Sequence, residues 1–165
     1  MPDTDHLTTD CLVAELTSVF FPTPFDAAAF ARANGSWDAY TKAEAFDVGS
    51  QGKAWDALGS DFVDAHGGAL FFLAADAFVA ILPAYLAALL RGETDSEMSA
   101  FVFSQLTRTP RSDKFDARYA LLSGRQKAAI ARVLEVLAQR DHGSRYRSQI
   151  AASLGDWRSS RSREV

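Results

Sequence analysis

Residues 69–90, ALFFLAADAFVAILPAYLAALL, decide the fold of this chain. This run of 22 residues carries one charged side chain, Asp76, and its length could cross a bilayer. A charge in the middle of a span costs about 2.5–3.5 kcal/mol, and eight of the 22 residues are alanine. Pro83 removes a backbone N–H and should interrupt the helix near its middle. We therefore predict a buried, Pro-interrupted central helix of a soluble protein.

Amphipathic helices are predicted on both sides of this segment. In residues 123–139, apolar residues recur three and four positions apart and charged residues lie opposite them. Ser123–Gln126 has capping-box spacing, in which the two side chains satisfy each other's free backbone N–H groups, and Thr41–Glu44 has the same spacing. Residues 9–20 repeat the helical pattern, so a half-buried helix is expected there too.

The pattern as a whole predicts an all-α fold. Sustained alternation of apolar and polar residues is absent, and at most Leu70–Leu73 could form a short extended link. We expect a compact single-domain bundle of about six to eight helices over residues 1–157, followed by a basic polar tail, 158–165. The predicted core residues are Trp55, Phe72, Phe78, Leu82, Tyr85, Leu86, Ile130 and Leu134, and a C-terminal helix could be anchored by Ile150, Leu154 and Trp157.

Length, composition and cysteine content point to a cytoplasmic protein. The chain has 165 residues, 48% hydrophobic and 23% charged, which are ordinary values for one globular domain. Cys11 is the single cysteine and cannot form an intramolecular disulfide. The first residues are acidic and no apolar stretch of a signal peptide follows them. A reducing, cytoplasmic location is therefore expected.

Charge is distributed unevenly along the chain. Residues 1–100 contain 4 Lys or Arg and 15 Asp or Glu, whereas residues 101–165 contain 13 and 6. Acidic helices could pack beside basic ones within one domain. Alternatively, the protein has two surfaces of opposite sign, one of which meets a partner of opposite charge.

Three sequence blocks resemble an uncharacterised family of small helical bacterial proteins. The blocks are Gly52–Leu58 with its Trp-x-x-Leu pattern, Phe72–Leu86 with Leu-Pro-Ala-Tyr, and Leu122–Ile130 with Gln-x-x-Ala-Ile. The resemblance covers residues 40–140. The sequence departs from the family pattern at residues 74–76, where Ala-Ala-Asp replaces Thr-Pro-Glu. The resemblance implies a soluble helical fold and assigns no catalytic residue.

The residue types that carry metal or catalytic chemistry are scattered. His6, His66 and His142 are far apart, and one cysteine cannot form a thiolate site. The densest candidate ligand group is Asp61, Asp64 and His66, but two carboxylates near a helix start are explained by the helix dipole. We therefore expect no metal, no cofactor and no catalytic residue.

Three shorter motifs favour structural explanations. Gly49–Ala54 differs from a phosphate-binding loop in its glycine spacing and in the Ala that follows Lys53, so a turn is expected. His66–Gly68 superficially suggests an oxyanion loop but is explained as a helix end. Cys11 lies on the apolar side of the first helix, which predicts a small buried residue.

Three function classes remain open. We expect a non-enzymatic cytosolic protein-binding module, a class that includes immunity and antitoxin proteins that mask a basic effector. An enzyme whose site assembles from scattered residues is the alternative. Nucleic-acid binding through the Arg-rich C-terminal region is a third class, but the pI of about 5.3 makes it the weakest. The arginines of this region are Arg140, Arg145, Arg147, Arg158, Arg161 and Arg163.

The expected binding surface consists of carboxylates from the first half of the chain. They lie in a stretch whose cations are Lys42 and Lys53, and they are Asp38, Glu44, Asp47, Asp56, Asp61 and Asp64. Carboxylates are rarely buried without a partner, so most of them should be exposed and attract a basic protein. If they instead pair with Arg118, Arg125 and Arg132, the uneven charge distribution is neutralised within the protein.

Overall fold

A computed structural model of the chain describes residues 4–26, 39–94, 96–110, 113–140 and 146–158. Every regular element in these ranges is helical, which confirms the predicted all-α fold. The elements are nine α-helices and one 3₁₀ turn, in chain order α1 (Thr4–Val19), α2 (Ala43–Ser50), the 3₁₀ turn (Trp55–Ala57), α3 (Ser60–Ala65), α4 (Ala69–Phe72), α5 (Ala75–Arg91), α6 (Ser96–Leu106), α7 (Asp113–Leu121), α8 (Gly124–Arg140) and α9 (Arg147–Arg158). The short helices α3 and α4 bring the number in this part of the chain above the predicted six to eight.

Helix α5 is the predicted central helix. Twelve of its 17 residues are buried, and it contacts α1, α3, α7, α8 and the 3₁₀ turn. It ends in a Schellman motif, because Gly92 has a φ of +68° and the Glu93 N–H donates to the Ala88 carbonyl at 3.1 Å. Among the residues that the structure describes, no helix has the length and apolarity needed to cross a membrane.

Pro83 does not interrupt α5, so that part of the prediction was wrong. The helix continues through Pro83 to Arg91, although the proline ring has no N–H for the carbonyl of Val79. Leu82 and Ala84 on either side are buried. Packing along the whole helix therefore outweighs a local cost of about 3 kcal/mol.

Helix α4 replaces the extended link that the sequence predicted. Its carboxyl end is capped by two cations of α7. Arg118 donates to the carbonyls of Leu70 at 2.7 Å and Leu73 at 3.2 Å, and Lys114 donates to that of Phe71 at 3.0 Å. Cationic donors stabilise the free carbonyls at a helix end. The conformation of this four-residue helix therefore depends on side chains more than 40 residues away.

One of the two capping boxes forms. The Ser123 N–H donates to Gln126 Oε1 at 2.9 Å, and the Gln126 N–H donates to Ser123 Oγ at 3.2 Å, as predicted for the start of α8. Gln126 Nε2 also donates to the Val19 carbonyl at the end of α1. The Thr41–Glu44 box does not form, because α2 begins after Lys42 and has no side-chain cap.

The core matches the prediction with one exception. Seven of the eight predicted residues are buried members of one hydrophobic cluster, while Phe72 is half-buried and packs against it. The expected anchors of α9 are buried too, and Trp157 Nε1 donates to the Leu106 carbonyl at 2.9 Å. Helix α9 includes Arg158, one residue of the predicted tail, and residues 159–165 lie outside the described part of the chain.

Cys11 is exposed rather than buried, which corrects the sequence expectation. Leu12 and Leu16 of α1 and Phe20, directly after the helix, enter the core and are spaced four residues apart. Cys11 is displaced from this stripe by one position, about 100° around an α-helix. Apolar spacing identified the helix, but not the orientation of this borderline residue.

Candidate functional site

The predicted partner-binding carboxylates lie on α2, the 3₁₀ turn and α3. We refer to the five that the structure describes as the acidic segment: Glu44, Asp47, Asp56, Asp61 and Asp64. Four of them are exposed and Asp47 is half-buried. Asp38, the sixth predicted residue, lies outside the described residues.

Within the part of the chain that the structure describes, three members of the acidic segment take part in no ion pair. Ion pairs between described residues include Arg108–Asp116, Arg132–Glu15 and Arg158–Glu135. Glu44, Asp56 and Asp61 belong to none of them. For these three residues, the described part of the structure therefore shows no pairing with cations of the second half, which was the internal alternative.

An aromatic cluster holds α2 against α3. The ring centroids of Phe46 and Phe62 are 5.3 Å apart, and the His66 ring lies 5.5 Å from Phe46 and 4.7 Å from Phe62. Gly49 permits this close approach, because a Cβ at that position would lie 2.8 Å from the Phe62 ring. Packed rings thus fix the relative position of α2 and α3, which carry four of the five members of the acidic segment.

His66 is a buried, neutral side chain at the end of α3. Its Nδ1 lies 3.4 Å from the Tyr40 hydroxyl, and its carbonyl accepts a 2.7 Å hydrogen bond from the Tyr85 hydroxyl. Burial lowers the pKa of His66, and the nearby Lys42 ammonium lowers it further. Burial also raises the pKa of Tyr40. The pair is therefore uncharged near neutral pH and is suited to a structural role.

A cleft with a volume of about 210 Å³ opens beside the turn that follows His66. Its walls come from three regions of the chain: the residues before α2, the end of α3 with the following turn, and the start of α6. The lining residues are Tyr40, Thr41, Lys42, Asp64, Ala65, Gly67, Gly68, Glu97, Met98 and Phe101. Lys42 Nζ donates to the Ala65 carbonyl at 3.1 Å and so joins two of the walls.

Sequence reasoning missed this cleft. It identified His66–Gly68 correctly as a helix end, and it identified Asp64 as a surface carboxylate. Glu97 and Phe101 lie on α6, which approaches the turn only through tertiary packing. Met98 of the same helix is in direct contact with the turn, because a Cβ on Gly67 would lie 3.0 Å from Met98 Cγ. A double glycine after a short helix was the one local signal of a close approach.

The geometry does not assemble a metal or phosphate site from the candidate motifs. Asp61 and Asp64 are exposed, whereas His66 is turned into the core. The described residues include no group of three or more His, Cys, Asp or Glu side chains placed to hold a metal ion. Gly49–Ala54 covers the end of α2 and a turn in which Gly52 has a φ of +70°.

Two arginines of the Arg-rich C-terminal region bind within the protein. Arg140 donates to the Leu90 carbonyl at 2.7 Å and to Thr9 Oγ1 at 2.7 Å. Arg158 donates to Glu135 Oε1 at 3.0 Å. Arg145, Arg161 and Arg163, which belong to the same prediction, lie outside the residues that the structure describes.

The comparison with known proteins gives a family without an assigned function. Residues 10–161 match DUF6714, a family of unknown function. The chain belongs to this family. The matched region includes all of the helices that form the cleft. The match is consistent with the predicted resemblance to an uncharacterised family. No curated protein and no solved structure matches the chain.

Proposed function

We propose that this DUF6714 member is a non-enzymatic protein-binding module of the bacterial cytoplasm, of the immunity or antitoxin kind, and that its acidic segment binds a basic protein. The observation that carries the proposal is the exposure of Glu44, Asp56 and Asp61 without an ion pair in the described residues. Exposed carboxylates attract a basic partner and raise its association rate.

The rigid support of the acidic segment adds to this proposal. The packed rings of Phe46, Phe62 and His66 fix α2 relative to α3 before any partner arrives. A preorganised surface loses little conformational entropy on binding. Packing of this kind therefore favours recognition by a surface that keeps its shape.

The two alternatives have less support. For the enzyme alternative, His66 does not offer a reactive ring to solvent, because the residue is 6% exposed and burial lowers its pKa. A nucleic-acid surface would need free arginines, but Arg140 and Arg158 bind groups within the protein. A protein partner of opposite charge to the acidic segment remains the best account.

A charge-neutralised variant tests the proposal. We compare the wild type with Glu44→Gln/Asp56→Asn/Asp61→Asn as baits for basic proteins in a bacterial extract, and then measure association rates with the purified partner against salt. The control variant is Asp10→Asn/Glu93→Gln/Asp113→Asn, which removes the same charge from exposed acids elsewhere. The proposal requires a slower association for the first variant only. Equal rates for both variants and the wild type, or equal losses in both variants, would contradict it.

A further inference from the structure

The chain directly after α1 exposes an aromatic ring. Phe21 is 80% exposed, whereas Phe20 before it and Phe25 after it are buried. Pro22 and Pro24 fix two of the backbone φ angles between the ring and Phe25. A single exposed apolar residue is common on a protein surface, but a group of them held in place marks a contact site.

Both ends of this segment are held, which keeps the Phe21 ring outside the core. The Trp55 indole Nε1 donates to the Phe20 carbonyl at 2.7 Å. The backbone of Phe25 forms hydrogen bonds of 2.9 and 3.0 Å with residues 52–53. A segment that is already held in place loses little conformational entropy when a partner covers it.

Leu121 belongs to the same end of the helical bundle. At the start of α8, Gln126 Nε2 donates to the carbonyl of Val19, the last residue of α1, at 3.1 Å, and Gln126 Oε1 accepts from the Ser123 N–H. Phe21 lies two residues after Val19, and Leu121, which is 54% exposed, lies two residues before Ser123. The end of α1 and the turn between α7 and α8 therefore form one surface with two exposed apolar side chains, which we call the apolar patch.

Exposed charges of opposite sign lie on the two sides of the apolar patch. Asp56 follows Trp55 on one side of the end of α1, and Arg125 precedes Gln126 on the other. Within the described ranges, neither of the two belongs to an ion pair. A two-fold rotation brings the acid of one copy to the base of a second copy, so such a surface is self-complementary. A basic protein fits this surface less well, because it would meet the cations Arg125 and Lys53.

We propose that the protein forms a weak symmetric homodimer through the apolar patch. Phe21 and Leu121 of the two copies pack together at the two-fold axis. Asp56 of each copy lies against Arg125 of the other. The inference goes beyond the proposed function, because the contact joins two copies of this chain and not the chain and a basic partner.

The size of the apolar patch sets the expected strength of the dimer. A buried aromatic side chain removes about 150–250 Å² from water, so the rings and leucines of two copies bury on the order of 500 Å². Stable interfaces bury at least roughly 1,200 Å², of which the apolar centre is one part and the polar rim another. A dissociation constant on the order of 0.1 mM is therefore expected.

Sedimentation equilibrium measures the self-association. Between about 10 µM and about 1 mM protein, the average mass should rise from one 17.9 kDa chain towards twice that value. Phe21→Ala should weaken the dimer at least tenfold. Phe71→Ala is the matched control, because Phe71 is 48% exposed and lies beside Lys114, near the opposite end of α7 from Leu121. It should leave the Kd of the dimer unchanged. A constant mass of the wild type, growth beyond two chains, or equal Kd values for the two variants would overturn the inference.

Charge reversal tests the two-fold arrangement without changing the apolar patch. Asp56→Arg and Arg125→Asp each place like charges against one another across the axis, and each should weaken the dimer about three- to tenfold. The double variant Asp56→Arg/Arg125→Asp restores opposite charges on both sides of the axis. Its Kd should return to within about twofold of the wild-type value. Losses that add in the double variant would refute the pairing of these two residues across a two-fold axis.

The dimer and the proposed function fail separately. Phe21→Ala leaves every carboxylate of the acidic segment in place, so it should weaken the dimer without slowing the association of a basic partner. If neutralising the acidic segment slows partner association while the wild type stays monomeric at about 1 mM, the dimer is wrong and the proposed function stands. If the wild type dimerises through Phe21 but neutralising the segment changes no association rate, the proposed function is wrong and the dimer stands.

Discussion

The two halves of the molecule use their charged side chains differently. Cations of the second half reach back to carbonyl and carboxylate groups of the first half, in the pairs Lys114 to Phe71, Arg118 to Leu70 and Leu73, Arg132 to Glu15, and Arg140 to Leu90. Glu44, Asp56 and Asp61 of the first half remain exposed and outside the ion pairs of the described residues.

The difference follows from hydrogen-bond chemistry. Lysine and arginine are donors, so they can satisfy the free carbonyls at helix ends within a helical protein. An ionised carboxylate only accepts, so inside the fold it needs an N–H group or a cation. When acids lie in one half of a sequence and bases in the other, each acid therefore does not need to form an ion pair with a base. The bases are partly used as helix caps, and a surplus of acids stays on the surface.

The largest effect is expected where the two halves meet in the core. Phe78 of α5 is 1% exposed, and the Arg118 guanidinium of α7 lies 3.9 Å from its ring centroid. Phe78→Ala should lower the free energy of unfolding by about 3–5 kcal/mol, because it removes buried area and leaves a cavity. Chemical denaturation measures the loss, with Phe71→Ala on the exposed side of α4 as control. A Phe78→Ala protein that melts with the wild type would show that α5 is not the centre of the core.

Arg118 tests whether the bases of the second half stabilise the first half. It is 4% exposed, donates to Leu70, Leu73 and the Gln105 side chain, and burial lowers its pKa to about 10. Arg118→Met keeps the length of the side chain but leaves these acceptors without their donor, at an expected cost of about 2–3 kcal/mol.

An exposed arginine provides the control for that measurement. Arg125→Met on α8 should change the unfolding free energy by less than ~0.5 kcal/mol. Arg118→Lys keeps the charge without the forked donor geometry, so it should restore only part of the loss. Equal, small effects of Arg118→Met and Arg125→Met would mean that the caps at α4 contribute nothing and that the contrast between the two halves is wrong.

His66 gives a smaller effect that is confined to mildly acidic pH. Its folded-state pKa is lowered by burial and by Lys42, so the unfolded chain binds more protons as the pH falls below about 6.5. The stability that the neutral ring contributes is complete above that pH and is lost as the pH falls through the lowered pKa. His66→Phe should remove this part of the pH dependence, measured as unfolding free energy from pH 7.5 to 5.

The acidic segment provides the contrast to His66. Glu44→Gln should leave the slope between pH 7.5 and 6 as it is in the wild type, because it keeps the buried His66 ring. The same slope in the His66→Phe and wild-type proteins would show that the ring is protonated equally in the folded and unfolded chains.

The parts of the fold that sequence could predict depend on local patterns. Helix α8 has a clear apolar stripe, and its capping box needs only Ser123 and Gln126. The central position of α5 follows from the long uncharged run between Asp76 and Arg91 at its two ends. Pro83 was misjudged because a general helix penalty was applied without the packing that opposes it.

The parts that sequence missed depend on distant residues. Helix α4 is capped by cations of α7. No local pattern around Phe71 could predict these contacts. The cleft likewise joins Tyr40, Asp64 and Glu97 from three separate regions of the chain. The exposed position of Asp61 could be predicted from its charge alone, whereas the place of Glu97 in the cleft could not.

The smallest expected effect is that of the acidic segment on stability. Glu44, Asp56 and Asp61 each lie in the first turn of their element, where an acid is favourable by about 0.3–1 kcal/mol at most. Repulsion among the carboxylates opposes that gain. Neutralising all three should therefore change the unfolding free energy by less than about 1 kcal/mol. Any remaining difference in unfolding free energy between the variant and the wild type should vanish near 1 M salt, where charges are screened beyond about 3 Å.

This outcome matters because it separates binding from folding. A variant that keeps its stability but loses the fast, salt-sensitive association would assign Glu44, Asp56 and Asp61 to recognition. The measurement is a denaturation series at low and high salt, with Glu15→Gln as the comparison, since Glu15 has its partner in Arg132. A loss above 2 kcal/mol, or one that persists in 1 M salt, would mean that these acids hold the first half together as the arginines of the second half do.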